Sequence, residues 1–92
     1  MPIVKIPAPL RAYVDGQKAI IIDGSTVSET VLNLAEKYPS IRQQIFDPEG
    51  RLRAFIKIFV EKENIKELID GLDIDIQESD SLVIIASIAG GQ

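Results

Sequence analysis

The residues that offer the clearest chemistry in this sequence are the last three, Gly90-Gly91-Gln92. They follow an apolar run, residues 82–89, that begins with the length and branching of a buried strand. Glycine has no side chain to pack, so it suits a backbone that must approach another surface closely or thread through a narrow opening. We therefore interpret the end of the chain as its working part, with residues 1–88 forming one domain and residues 89–92 a flexible tail.

The residue inventory excludes most enzyme classes. The sequence contains no His, no Cys and no Trp. Zinc sites, Ser-His or Cys-His nucleophilic machinery and thiol redox chemistry all need residues that are absent. The carboxylates, lysines and hydroxyls that remain argue against an enzyme, and we expect no metal and no cofactor.

Composition and charge limit the classes of molecule that the protein is expected to bind. The apolar fraction of 46% and the charged fraction of 26% are typical of a globular domain. The formal net charge of -4 argues against nucleic acid and anionic membranes as partners, and it favours a protein with a basic surface. The sequence shows no membrane-spanning run, no signal peptide and no cysteine framework, so the expected location is the cytoplasm.

Periodicity predicts a β-hairpin and then a helix. Strands over residues 3–6 and 17–22 flank the turn signal Asp15-Gly16. Thr26 and Glu29 have the spacing of a capping box, and Pro39 should end the helix that follows. An anion site at this helix N-terminus is the minor alternative, because no phosphate-loop pattern is present. The residues at helical spacing on one apolar face are Val27, Val31, Leu34, Ala35 and Tyr38.

A second, shorter helix is predicted over residues 40–46, with Ser40 and Gln43 as a weaker capping box. A short edge strand is expected near Asn64-Ile65. The carboxylates near the end of the chain do not have the spacing of a calcium loop, so a solvated acidic loop is expected there. These carboxylates are Asp70, Asp73, Asp75, Glu78 and Asp80.

Two strong strands suggest a docking surface. In residues 55–60, Ile56, Ile58 and Val60 alternate with Phe55, Lys57 and Phe59, and the first set should face the helix. Residues 82–88 form the last strand, with Leu82 and Ile84 towards the core. An apolar group on the opposite, wetter sheet face suggests an interface, although Phe59 tucked under a loop is an equal alternative. The predicted partner-binding residues are Phe59, Val83 and Ile85 as anchors, with Lys57 and Arg53 at the rim.

This order of elements is that of the ubiquitin-like β-grasp fold, an α+β fold with a mixed four- to five-stranded sheet on one main helix. The chain resembles the MoaD/ThiS family of sulfur-carrier proteins over nearly its whole length, and most of all the CysO-like branch. The residues that carry the resemblance are Gly24-Ser25-Thr26-Val27 with Leu34, the block from Leu52 to Val60, Asp70-Gly71-Leu72-Asp73, and the run from Ile84 to Gly91.

The resemblance implies a protein that acts as a reagent. An E1-like, ATP-dependent adenylyltransferase would activate the carboxylate of Gly91, sulfur would replace AMP, and the thiocarboxylate would serve a biosynthetic enzyme. The receiving pathway would be that of cysteine, molybdopterin or thiamin. In extended form residues 88–91 would reach about 13 Å, enough to enter a buried site.

The tail departs from the family pattern at Gln92, because the active form of family members ends at the second glycine. While Gln92 is attached, the Gly91 carbonyl is an amide and cannot be adenylated as a free acid. We expect a peptidase to remove Gln92. The alternative function is a ubiquitin-like modifier, or a non-covalent adaptor that binds through its sheet face.

Overall fold

The structure, a computed structural model, describes residues 1–62, 65–68 and 73–87. These residues form five strands, two α-helices and one 3-10 helix. The predicted Gly90-Gly91-Gln92 tail, the boundary at residue 88 and Asn64 lie outside the described residues. The elements in chain order are β1 (Ile3–Lys5), the 3-10 helix (Ala8–Val14), β2 (Ala19–Ile21), α1 (Val27–Lys37), α2 (Pro39–Ile45), β3 (Ile56–Lys62), β4 (Ile65–Leu68) and β5 (Ser81–Ala86).

The five strands form one mixed sheet in the order β2-β1-β5-β3-β4. β1 and β2 pair antiparallel, as the hairpin prediction requires, and Asp15 and Gly16 between them both have positive φ. β1 and β5 pair parallel, with Val4 opposite Leu82. β3 pairs antiparallel with β5 on one side and with β4, the predicted edge strand, on the other. The last strand of the chain therefore lies in the middle of the sheet.

α1 begins with the predicted cap. The Thr26 hydroxyl accepts a hydrogen bond from the Glu29 N–H at 3.0 Å. The Glu29 carboxylate reaches back to the N–H of Ser25 at 2.7 Å, one residue before the cap itself. Val27 donates its N–H to the Ile74 carbonyl. The chain thus supplies partners for this helix N-terminus, in agreement with a capped packing helix.

The second predicted capping box is wrong. α2 begins at Pro39 rather than after Ser40, and Tyr38 precedes it without a side-chain cap. Proline is well suited to the first helical position because its missing N–H has no intrahelical acceptor there. Pro39 therefore ends α1 and starts α2 in one step. The stretch after β1, which the sequence left without an assignment, forms the 3-10 helix.

The core lies between α1, α2 and one face of the sheet. Alternation along β3 and β5 agrees with the prediction, since Ile58 and Ile84 are buried while Lys57 and Ile85 are exposed. Val27, Val31 and Leu34 bring the apolar face of α1 against these strands with no exposed surface. This α+β arrangement is the β-grasp fold predicted from the sequence. It leaves the other face of the sheet without a helix among the described residues.

Candidate functional site

The outer face of the sheet carries four of the predicted docking residues as two cross-strand pairs. The register of β3 on β5 places Lys57 opposite Ile85 and Phe59 opposite Val83. Directly opposed residues on one sheet face have their side chains in contact range. We call these four residues the outer patch. The sequence prediction that they lie together is confirmed by the register, while their role in binding stays a prediction.

The outer patch is partly exposed and apolar at its centre. Ile85 keeps 40% of its surface exposed, and Phe59 and Val83 are half-buried. Lys57 is exposed beside them. A branched apolar side chain with this exposure on a sheet face is a suitable anchor for a partner, because binding would remove its remaining apolar area from water.

Arg53 lies apart from the outer patch. Its Nε donates to the Gln43 carbonyl at 2.6 Å, and its backbone N–H donates to the Ile45 carbonyl. Both acceptors belong to α2. Arg53 therefore lines a cleft beside α2 and the turn that contains Asp47. The structure does not bring this predicted rim residue together with the two cross-strand pairs of the outer patch.

An ion pair crosses the outer face next to the patch. Lys5 Nζ on β1 lies 2.8 Å from Glu61 Oε1 on β3, so the pair spans the central strand β5. The side chains are 49% and 26% exposed, and such surface pairs contribute about 0–1 kcal/mol to stability. Its effect is local: it holds Lys5 over the sheet near Val83, its register partner.

Sequence reasoning missed a groove that overlaps the outer patch at Val83 and Ile85. Pro7 stops β1, and the chain turns into the 3-10 helix, which brings Arg11 beside the end of β5. The groove has a volume of about 420 Å³. We call it the basic groove. Its lining residues are Lys5, Ile6, Pro7, Arg11, Lys18, Ala19, Val83, Ile84 and Ile85.

One hydrogen bond beyond β5 anchors Ser87, the last described residue. The Ser87 N–H donates to the Phe55 carbonyl at 2.8 Å, which continues the β3–β5 pairing by one residue. Ser87 is exposed and Phe55 is 37% exposed. The last described residue therefore lies at the surface, with the basic groove on one side of its strand and β3 on the other.

The acidic residues of the predicted solvated loop do not share one environment. Asp73, Asp75 and Glu78 are exposed as expected, and Asp70 lies outside the described residues. For Asp80 the prediction is wrong, because its exposed fraction is 5%. It accepts hydrogen bonds from Lys62 Nζ and from the Gln77 N–H, both at 2.7 Å.

Burial raises the pKa of Asp80, but the hydrogen bonds from Lys62 and Gln77 outweigh that effect and hold the pKa below its ordinary value. Within the described ranges no group of three or more acidic, His or Cys side chains could hold a metal ion. In the same ranges, no helix combines the length and apolarity needed to cross a bilayer.

Comparison with known proteins gives consistent results. Residues 4–91 match the model of the ThiS family. The sulfur carrier protein CysO of Mycobacterium tuberculosis is 33% identical over 90 residues, and the match covers 96% of each chain.

Solved structures extend this similarity. A chain in the Amycolatopsis orientalis BexX/CysO complex superposes with a TM-score of 0.83 at 28% identity, covering 99% of this chain and 100% of that one. The small archaeal modifier protein 1 (SAMP1) of Methanosarcina acetivorans superposes with a TM-score of 0.77 at 26% identity, covering 97% and 94%. With its ubiquitin-like β-grasp fold and a family match that runs from β1 to Gly91, the chain belongs to the ThiS family.

Proposed function

We propose that the protein is a sulfur carrier whose reactive atom is the acyl carbon of Gly91. The observation that carries this proposal is the match of residues 4–91 to the ThiS family, which includes both glycines and leaves Gln92 outside. The similarity to CysO, a named sulfur carrier, over 96% of each chain supports the same role. In this role the chain is a substrate and carrier, and other proteins supply the catalysis.

The proposed chemistry has three steps. Hydrolysis of the Gly91–Gln92 amide by a peptidase produces a free carboxylate at Gly91. A carboxylate is a poor electrophile, so an E1-like adenylyltransferase joins one of its oxygens to the α-phosphate of ATP and releases pyrophosphate. A sulfur nucleophile then displaces AMP and leaves a thiocarboxylate. This sulfur passes to an acceptor enzyme of cysteine, molybdopterin or thiamin biosynthesis in the cytoplasm.

The body of the protein would present the tail to those partners through the outer patch. β5 carries Val83 and Ile85 and leads directly to Ser87, so a partner that contacts the patch would lie close to the last described residue. In the Amycolatopsis orientalis BexX/CysO complex, a chain of similar fold is assembled with another protein. That complex supports the use of such a body for docking in the present chain.

The proposal is tested by mass spectrometry of the protein isolated from its own cells. A sulfur carrier should lack Gln92 and show, at Gly91, the mass increase that accompanies replacement of one oxygen atom by sulfur. In a reconstituted reaction, a version ending at Gly91 should form the acyl adenylate with ATP and the cognate adenylyltransferase, and a version ending at Gln92 should not. Recovery of only intact Gln92 from cells would contradict the proposal.

A ubiquitin-like modifier is the second candidate. The superposition on SAMP1 of Methanosarcina acetivorans, which is named a modifier protein, favours it. Both candidates need an activated Gly91, but their products differ. A modifier would be found linked through Gly91 to lysine side chains of other proteins, whereas a carrier would be recovered as the free thiocarboxylate. The same mass spectrometry therefore separates them.

A further inference from the structure

The end of β5 has an open edge on its β1 side. Because the Ser87 N–H bonds to Phe55, the alternation of antiparallel pairing directs the backbone groups of Ile84 and Ala86 away from β3 and towards β1. β1 ends at Lys5, opposite Val83. No strand in the described part of the chain continues β1 alongside Ile84 and Ala86.

Pro7 is the physical cause of this opening. The parallel register would place residue 7 opposite Ile85, where its N–H would meet the Ile84 carbonyl and its carbonyl would meet the Ala86 N–H. Proline has no N–H to donate. The Pro7 carbonyl already accepts from the Leu10 N–H at 3.0 Å, where the 3-10 helix begins. The Ile84 carbonyl and the Ala86 N–H of β5 therefore have no strand partner among the described residues.

The walls of this opening are those of the basic groove, and their charge is opposite to that of the whole molecule. The chain has 14 acidic and 10 basic residues. The groove is lined by Lys5, Arg11 and Lys18, with no carboxylate among its lining residues. Lys5 is paired with Glu61. Arg11 and Lys18 have no carboxylate within 4.0 Å among the residues that the structure describes.

Hydrogen bonds with Ile6 position Arg11 and the Lys18 backbone at the edge of the basic groove. Arg11 Nε donates to the Ile6 carbonyl at 3.0 Å, which fixes the guanidinium at the mouth of the groove. Lys18 is exposed just before β2, and its carbonyl accepts from the Ile6 N–H at 2.8 Å. The Arg11 guanidinium and the Lys18 backbone are thus both bonded to Ile6, the residue before Pro7. The apolar floor between them includes Val83 and Ile85 of the outer patch.

We infer that the basic groove binds an extended, acidic segment of a protein partner, which adds alongside the end of β5 in the place that Pro7 leaves open. The segment's backbone supplies a donor for the Ile84 carbonyl and an acceptor for the Ala86 N–H. Its apolar side chains cover Val83 and Ile85, and its carboxylates meet Arg11 and Lys18. Strand addition of this kind obtains affinity from main-chain hydrogen bonds and specificity from side-chain contacts.

Charge complementarity and the two open backbone groups favour an acidic peptide segment as the occupant of the basic groove. A second copy of this chain would bring further net negative charge but no acidic strand among its described residues, and a nucleic acid has no backbone N–H and carbonyl groups at the spacing of a strand to match Ile84 and Ala86. An acidic peptide segment satisfies the cations and both open backbone groups together. The overall charge of -4 pointed to a basic partner, whereas the surface beside the end of β5 selects an acidic one. That the partner is the activating adenylyltransferase rests on the proposed function. The binding of an acidic segment in the basic groove does not depend on it.

The test uses the full chain labelled with 15N and short synthetic peptides, so it is independent of sulfur chemistry. A peptide in which valine and glutamate alternate should shift the amide signals of Ala19, Ile85 and Ala86 saturably. It should also slow solvent exchange of the Ala86 amide, since pairing removes that N–H from water. A peptide with lysine in place of glutamate should produce neither effect.

A matched pair of charge reversals tests the edge of the basic groove. Lys18→Glu should weaken binding of the acidic peptide about fivefold or more, because it replaces attraction by repulsion at the groove. Arg51→Glu makes the same change in net charge at an exposed residue outside the groove and should leave binding unchanged. Equal weakening by both variants would overturn the proposal.

Three further results would overturn it. The first is an absence of shifts with the acidic peptide, and the second is binding without protection of the Ala86 amide. The third is equal binding, at the same residues, of an oligodeoxythymidylate, which would make the groove a general anion surface. Failure of Gly91 activation in cells would leave all of these peptide-binding measurements unaffected. A failure of the proposed function can therefore be distinguished from a failure of the inferred binding site.

Discussion

Asp80 is a carboxylate whose protonation state is tied to the folded structure. It lies just before β5, where it joins Lys62 at the end of β3 to the Gln77 backbone. Its pKa is lowered, despite its burial, by those two hydrogen bonds. A carboxylate with a lowered folded-state pKa contributes stability above its unfolded pKa of about 3.9 and loses it as the pH falls through the folded value. The protein should therefore lose stability below about pH 4.

We predict that Asp80→Asn lowers the free energy of unfolding by about 1–2 kcal/mol at neutral pH, because the neutral amide forms weaker hydrogen bonds with Lys62 and Gln77. Urea unfolding at pH 7 and near pH 3 measures the effect. The difference from the parent should shrink as the pH falls through the folded-state pKa of Asp80, which lies below its ordinary value. Glu78→Gln, a matched change at an exposed carboxylate, should stay within about 0.5 kcal/mol of the parent. A constant Asp80→Asn difference across pH would contradict the assignment.

Gly24 is required for close packing rather than for backbone conformation. An added Cβ would lie 2.8 Å from both the N and the Cα of Thr30, and it would meet the Thr30 hydroxyl that donates to the Thr26 carbonyl. We predict that Gly24→Ala costs about 2–3 kcal/mol, because the first turn of α1 must move away. Gly50→Ala is the control: it has a φ of +83° but open space around it, so its cost should be about 1 kcal/mol. Equal thermal shifts for both variants would contradict the steric explanation.

At the scale of elements, α1 depends on its cap. We predict that Thr26→Ala lowers the free energy of unfolding by about 1 kcal/mol, since the Glu29 N–H loses its acceptor. Ser28→Ala, two residues further on within the helix, is the control and should be neutral or slightly stabilising because alanine is the better helix former. Chemical denaturation of the three proteins measures both changes. A Ser28→Ala loss as large as that of Thr26→Ala would show that the cap is not the cause.

Local patterns predicted the elements well where one residue determines the outcome. Thr26 and Glu29 located the start of α1, and alternation along β3 and β5 predicted which residues face the core. The predictions failed where the environment of a residue depends on a partner that is distant in the sequence. Asp80 is buried because Lys62 lies beside it only after β3 and β5 have paired, and no local pattern reports that contact. The basic groove was missed for the same reason, because the effect of Pro7 depends on the parallel pairing of β1 with β5.

At the scale of the whole molecule, the outer patch should join the body to its partners. We predict that Ile85→Asp weakens the complex with the activating adenylyltransferase at least about tenfold while the fold is retained, because a charge replaces an apolar anchor that is already 40% exposed. Isothermal titration calorimetry measures the affinity, and circular dichroism checks the fold.

Ile21→Asp provides the matched control for that experiment. Ile21 is 57% exposed and lies on β2, at the sheet edge away from β3. The same substitution there should leave affinity unchanged. If Ile85→Asp binds as the parent does, or if both variants weaken the complex equally, the interface lies elsewhere on the molecule.

The central place of β5 has a consequence for how the protein is made. Residues 81–86 occupy the middle of the sheet, so β1 and β2 cannot join β3 and β4 until this late segment has been synthesised. Parallel pairing of β1 with β5 also closes a loop of nearly the whole chain, which delays folding. A product truncated by the ribosome before Ser81 would thus stay unfolded and open to proteolysis. Only polypeptides that include residues 81–86 would enter the native pool, so every folded copy also carries the strand that leads to Ser87.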